Sequence, residues 1–233
     1  MFNSNKALKS LDLSDFTTSK ATTISNMFTY CSSLEILDIS GFDTSQVTDM
    51  SGLFSYCSSL KSLNLNNFNT SNTVKMFRMF TEMKQLEELD LSSFDTSKVT
   101  DMELLLEGCS SLTSINLKGF DNSQVTSTYR MFEGCSKLKS IDISELNTNL
   151  IKTYTNMFKG CEELTTINFG NKFTRKIEFM DNMFKGCKSL LSLDLSSFDT
   201  SEMINSNSAF EGCNSLSSIK MDNFDTSQTT TFM

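Results

Sequence analysis

Histidine is absent from the 233 residues, and so is proline. Histidine is the usual general base near neutral pH, so its absence removes the commonest acid–base and nucleophile-activating chemistry. The nine glycines form no phosphate-cradling loop, and no nucleophile elbow appears. Carboxylates recur only as repeating columns, and a repeating column builds no unique pocket. These absences point away from an enzyme. The lack of proline leaves no proline-rich linker, and no domain boundary is visible. No CxxC pair occurs, and zinc motifs place two ligands within a few residues of each other. No metal or cofactor is expected. No apolar run approaches the ~18 residues of a membrane span, and no basic and apolar leader suggests a signal peptide. The net charge of −8, from 20 basic and 28 acidic residues, argues against non-specific nucleic-acid binding and against an anionic membrane surface.

What the chain has is repetition. The stretch Cys31 to Cys57, CSSLEILDISGFDTSQVTDMSGLFSYC, recurs along its whole length. One phenylalanine of that unit returns at Phe2, Phe28, Phe54, Phe80, Phe132, Phe158, Phe184 and Phe210, with Leu106 in the remaining slot. Each step is 26 residues, with no insertion. A fixed period of roughly 20–50 residues is the signature of a repeat array. The argument must therefore run through columns of equivalent residues.

The unit has three parts. In LxxLDLSxF, alternating apolar residues such as Leu37 and Ile39 fit a short strand with one buried face. The link Asp43-Thr44-Ser45-Gln46 favours a turn, because Asp, Thr and Ser bond to nearby backbone. In VTDMSGLFSYC, Met50, Leu53, Phe54 and Cys57 stand at offsets 0, 3, 4 and 7, which predicts a helix of about two turns capped by Thr48 or Asp49. Such a helix is too short to stand alone and must pack on the strand layer.

The copies are not identical. Asn5 and Met83 replace cysteine in the first and fourth. Leu146 takes the Phe42 column in the sixth. The seventh is the outlier, with Lys172 in the Phe42 column and Phe173 in the Asp43 column, which predicts a local bulge permitted by Gly170.

Three columns carry polar or reactive groups. All seven cysteines share one: Cys31, Cys57, Cys109, Cys135, Cys161, Cys187 and Cys213. Identical side chains on stacked turns point the same way, whereas a disulfide needs particular Cβ directions. A buried ladder of reduced thiols is the expectation. A second column runs Asp12, Asp38, Asn64, Asp90, Asn116, Asp142, Asn168, Asp194 and Lys220. From Asn64 to Asp194 the alternation of Asn and Asp lets an amide N–H bond the neighbouring carboxylate. That column is read as a solvated ladder, with a partner-binding face or a calcium ladder as alternatives. The column of Thr18, Thr44 and Thr70 is read as serving turn backbone.

The residues MFxxCSSLxxLDLSxFDTSxVTDM, seen at Met27 to Met50 and at Met183 to Met203, resemble the 26-residue repeat of BspA-like leucine-rich repeat surface proteins. The resemblance covers the whole chain. It implies a leucine-rich-repeat solenoid displayed on a cell surface or secreted, and a role in adhesion to host proteins or to other cells. It carries no catalytic residue.

The expected architecture is thus a right-handed α/β solenoid of about nine 26-residue turns, each with one parallel strand and one short helix. Residues 1–233 form a single array, and both ends falling mid-repeat suggests a segment of a longer chain. The expected function is non-enzymatic adhesion or macromolecular recognition, toward a protein or glycan on a host or neighbouring cell. The alternative is a structural module that stacks end to end with further copies of itself. Candidate contact residues are Asp38, Asp90, Asp142 and Asp194 on the outward strand face. The outlier turn adds Lys172, Phe173, Arg175 and Lys176, an aromatic beside three cations on an otherwise acidic chain.

Overall fold

The computed structural model describes residues 1–147, 149–171 and 176–231. Within them the chain winds as a β-solenoid with eight strands of three residues each. They are β1 (Ser10–Asp12), β2 (Ile36–Asp38), β3 (Glu88–Asp90), β4 (Ser114–Asn116), β5 (Ser140–Asp142), β6 (Thr166–Asn168), β7 (Ser192–Asp194) and β8 (Ser218–Lys220). Each strand turns its central residue inward and its flanking residues outward, as the alternation of apolar and polar residues requires. Pairing is parallel and in register, with Leu11 opposite Leu37, Leu89 opposite Ile115, Ile141 opposite Ile167, and Leu193 opposite Ile219.

Two features differ from the sequence reading. The strands number eight rather than nine, because the equivalent stretch around Leu63 forms no strand. The strands also associate in twos, as β1-β2, β3-β4, β5-β6 and β7-β8, instead of in one continuous sheet.

The larger correction concerns the expected helix. Among the described residues there is no α-helix. The stretch from Met50 to Cys57 alternates its backbone donors. The N–H groups of Met50, Gly52, Phe54 and Tyr56 donate to carbonyls of Lys75, Phe77, Met79 and Thr81 in the next turn, at 2.7–3.0 Å. Between them Leu53, Ser55 and Cys57 donate to Met50, Gly52 and Phe54, closing tight turns. Gly52 and Tyr56 have φ of 63° and 62°, incompatible with a right-handed helix. Asp49 caps nothing helical; its Oδ1 accepts the N–H of Ser51 at 2.9 Å in an Asx turn. Packing explains the outcome. Helices lie about 8–10 Å apart, whereas ladder-bonded turns repeat at about 4.8 Å. A chain that bonds turn to turn on this side has no room for a helix in each.

The burial prediction nevertheless holds, since Met50, Leu53, Phe54 and Cys57 are all fully buried. The overlapping tight turns that begin at Met50, Gly52 and Phe54 return these side chains to one face much as a helix does. Inside, the phenylalanine column stacks nearly parallel. Ring centroids are 5.8 Å apart for Phe28–Phe54, 5.4 Å for Phe132–Phe158 and 6.0 Å for Phe158–Phe184. In the seventh copy Phe169 meets Phe158, Phe184 and Phe198 edge-on, at 6.4, 6.2 and 5.0 Å. Gly170 beside it has φ of 62°, and an added Cβ would fall 2.7 Å from the Cβ of Ser144. The bulge expected over 172–175 lies outside the described residues.

Candidate interaction surface

The aspartates singled out in sequence end strands β2, β3, β5 and β7, and all are exposed on the outer strand face. Each closes an Asx turn. Ser40, Ser92, Ser144 and Ser196 donate their N–H groups to Asp38, Asp90, Asp142 and Asp194 at 2.9–3.0 Å. Bonds from the hydroxyl and then the N–H of Ser92, Ser144 and Ser196 hold the carboxyls of Asp90, Asp142 and Asp194 below the ordinary value. The Asn–Asp alternation follows the pairing of strands. Asn168 donates its side-chain N–H to Asp142 Oδ2 at 3.1 Å, across the β5–β6 pair. Asn116 stands opposite Asp90 across β3–β4 and adds a smaller downward pull on its carboxyl. Lys220 stands against Asp194 at 3.5 Å across β7–β8. From Asp90 to Lys220 neighbouring like charges are thereby separated, whereas Asp12 and Asp38 stand opposite each other across β1–β2.

The outlier turn is only partly visible. Lys172, Phe173 and Arg175 lie outside the described residues. Lys176 is described, and its ammonium pairs with Glu202 at 2.7 Å. The four residues are therefore not seen brought together.

The cysteine column is a thiol ladder, but at a tight turn instead of a helix corner. All seven are free, six of them buried and Cys213 half-buried. Each thiol donates to the carbonyl 29 residues earlier, for example Cys57 to Phe28 at 3.2 Å and Cys135 to Leu106 at 3.3 Å. Burial pushes the thiols up, to about 12 for Cys109 and Cys187. Asn5, which stands in this column, donates its side-chain N–H to Phe2 instead, at 2.8 Å. Threonine behaves as expected where described. Thr44 donates to the carbonyl of Asn69 at 2.9 Å and accepts its N–H at 2.8 Å. Among the described residues no cluster of three or more Cys, Asp or Glu side chains is arranged to hold a metal. No helix is long and apolar enough to cross a membrane, again among those residues.

Sequence reasoning missed a second surface, on the side of the tight turns. Here Glu107 and Glu133 form ion pairs with Arg130, both at 3.2 Å, Lys159 pairs with Glu133 at 3.1 Å, and Lys185 with Glu211 at 2.7 Å. On the N-terminal part of this side Tyr30 stacks on Tyr56, with centroids 4.4 Å apart and planes at 20°. Arg78 lies over the ring of Phe77 at 5.2 Å. The signal was in the columns: the slot held by Tyr30, Tyr56 and Glu82 is glycine at 108, 134, 160, 186 and 212.

A solenoid of 26-residue turns with in-register parallel strands, an inward apolar column and an outward polar one defines a leucine-rich repeat protein of the BspA-like kind. The chain belongs to the family described as "Mycoplasma protein of unknown function, DUF285", which matches residues 1–114, 77–191 and 165–233. Among solved structures it is similar to a leucine-rich repeat protein from Bacteroides ovatus ATCC 8483. The TM-score is 0.58 at 21% identity, over 94% of this chain and 62% of that one. A leucine-rich repeat protein from Eubacterium ventriosum ATCC 27560 matches with a TM-score of 0.52 at 20% identity, over 81% and 55%. This chain thus spans less than two thirds of the length of either, and at these identities the likeness is one of fold. A comparison with curated proteins gives no match.

Proposed function

We propose that this chain is a non-enzymatic recognition module for adhesion, displayed at a cell surface and binding a macromolecule along its outer strand face. The observation that supports this reading is the geometry of that face. Exposed residues such as Ser140, Asp142, Thr166 and Asn168 stand in fixed columns, held by parallel pairing and by the Asx turns that close β5 and β6. Such a surface is rigid before it meets a partner, so little ordering cost is added on binding. Its small polar side chains make weak individual contacts, and affinity accumulates from many. Asp38, Asp90, Asp142 and Asp194 are the proposed contacts, with the turn from Lys172 to Lys176 as a second locus. The resemblance to surface proteins of the BspA-like kind supports the location. The test is saturable binding of the labelled chain to intact cells and to immobilised matrix proteins. A quadruple Asp→Asn variant of the four aspartates should bind more weakly with an altered salt dependence. Linear, unsaturable uptake in every case would refute the reading.

A further inference from the structure

The tyrosine pair on the turn side is not explained by the fold. Tyr30 and Tyr56 occupy a left-handed backbone position, with φ of 61° and 62°. The later copies place Gly108, Gly134, Gly160, Gly186 and Gly212 there, at φ of 73–76°. Glycine adopts this conformation without cost, while a bulky side chain there is a strained exception. Ser4 and Glu82 hold the same conformation in this column, so the backbone geometry belongs to the fold, and what sets Tyr30 and Tyr56 apart is two aromatic side chains kept where the later turns need none. The side chains are also not core: Tyr30 is 43% exposed and Tyr56 half-buried.

The surroundings define what such a site would take. The preceding turn carries Ser4 in this column, a side chain too small to cover the outer face of the Tyr30 ring. Beyond Tyr56, the next turn places Glu82 in the same column, and four residues before it Arg78 lies over the Phe77 ring. Arg78 is exposed and makes no ion pair among the described residues, in contrast to the doubly paired Arg130. An apolar ring face thus stands beside phenol hydroxyls, the guanidinium of Arg78 and the carboxylate of Glu82, whose ion-pair partner is Lys84 at 3.0 Å. Charges of both signs stand together, which suits neither an anion nor a cation. They match a ligand whose groups each donate and accept, and that is a hydroxyl. Five large side chains also fall short of the roughly 800 Å² per partner that a stable protein interface buries.

We propose that the Tyr30–Tyr56 stack, with Phe77, Arg78 and Glu82 beside it, is a binding site for a neutral oligosaccharide, one sugar ring lying on Tyr30 and its hydroxyls bonded by Arg78 and Glu82. The site rests on the recognition reading above but lies on a different face. The probe is an array of neutral and acidic glycans, followed by titration of the soluble neutral hits, cellohexaose, maltohexaose and N-acetyllactosamine among them. Tyrosine emission reports directly, because the chain has no tryptophan. Variants are the double Tyr30→Gly, Tyr56→Gly, which copies the residue of the later turns, and Arg78→Leu, which copies Leu104 in its own column. The expected result is neutral-glycan binding weakened more than ten-fold in both variants, with the melting temperature of the double variant unchanged or raised. Absence of any neutral ligand, preference for acidic glycans only, or unchanged affinity in the double variant would overturn the site. Saturable cell binding that survives both periodate treatment of the cells and the double variant would also overturn it, while leaving the recognition reading intact.

Discussion

Asn168 donates its amide N–H to the carboxylate of Asp142 in the preceding turn, at 3.1 Å, within one two-strand sheet. The two residues are equivalents 26 positions apart, and the sequence alternates their chemistry where identical side chains would otherwise repel.

Asn168→Asp removes the donor and sets two carboxylates side by side. Both are exposed, so the expected loss is about 0.2–1 kcal/mol. Denaturant unfolding should show that loss at low salt and recover most of it at high salt, where exposed charges are screened. An equal loss at both salt concentrations would mean that packing, and not charge, sets the alternation.

The thiols give a prediction in pH. The Cys109 and Cys187 thiols rise from 9.0 to about 12 in the fold, because burial disfavours the thiolate. The folded state therefore keeps protons that the unfolded state releases. Stability is fully present below pH 9 and falls as pH climbs toward about 12. Alkylation under native conditions at mildly alkaline pH should leave the six buried thiols unmodified, and denaturation should expose all seven. Cys135→Ser should cost about 1–3 kcal/mol, since a hydroxyl enters an apolar slot. Rapid native labelling of Cys135 would contradict the ladder.

Two glycines separate conformational cost from contact. At Gly160 an added Cβ meets only Gly134, at 3.7 Å, so Gly160→Ala carries the left-handed penalty alone, about 1 kcal/mol. At Gly41 the same atom would lie 2.0 Å from the carbonyl oxygen of Ser14, which is backbone and cannot step aside. Gly41→Ala should lower the melting temperature well beyond Gly160→Ala. A reversed order would show that the turns around Gly41 pack less closely than described.

The absence of helix is open to a direct check. Far-ultraviolet circular dichroism should lack the paired helical minima, although each 26-residue unit carries a helix-like apolar spacing. A strong minimum characteristic of helix would contradict the alternating hydrogen bonds of Met50 to Cys57.

The sequence by itself determined the period, the columns and which side chains are buried. Met50, Leu53, Phe54 and Cys57 were legible as core because burial depends on composition and spacing, which any turn-stacked array must satisfy. The reduced thiols and the Asn–Asp pairing were legible for the same reason, since equivalent residues become neighbours once the period is known. Only the tertiary structure decided the conformation of that core segment. A spacing of four is shared by a helix and by successive tight turns, and the choice between them is made by the next turn, which accepts the N–H groups of Met50, Gly52, Phe54 and Tyr56. Tertiary structure likewise decided that the strands join in twos and that Leu63 stands outside them. It also set Tyr30 on Tyr56. That contact joins residues of successive turns, and no single copy read along the chain contains it.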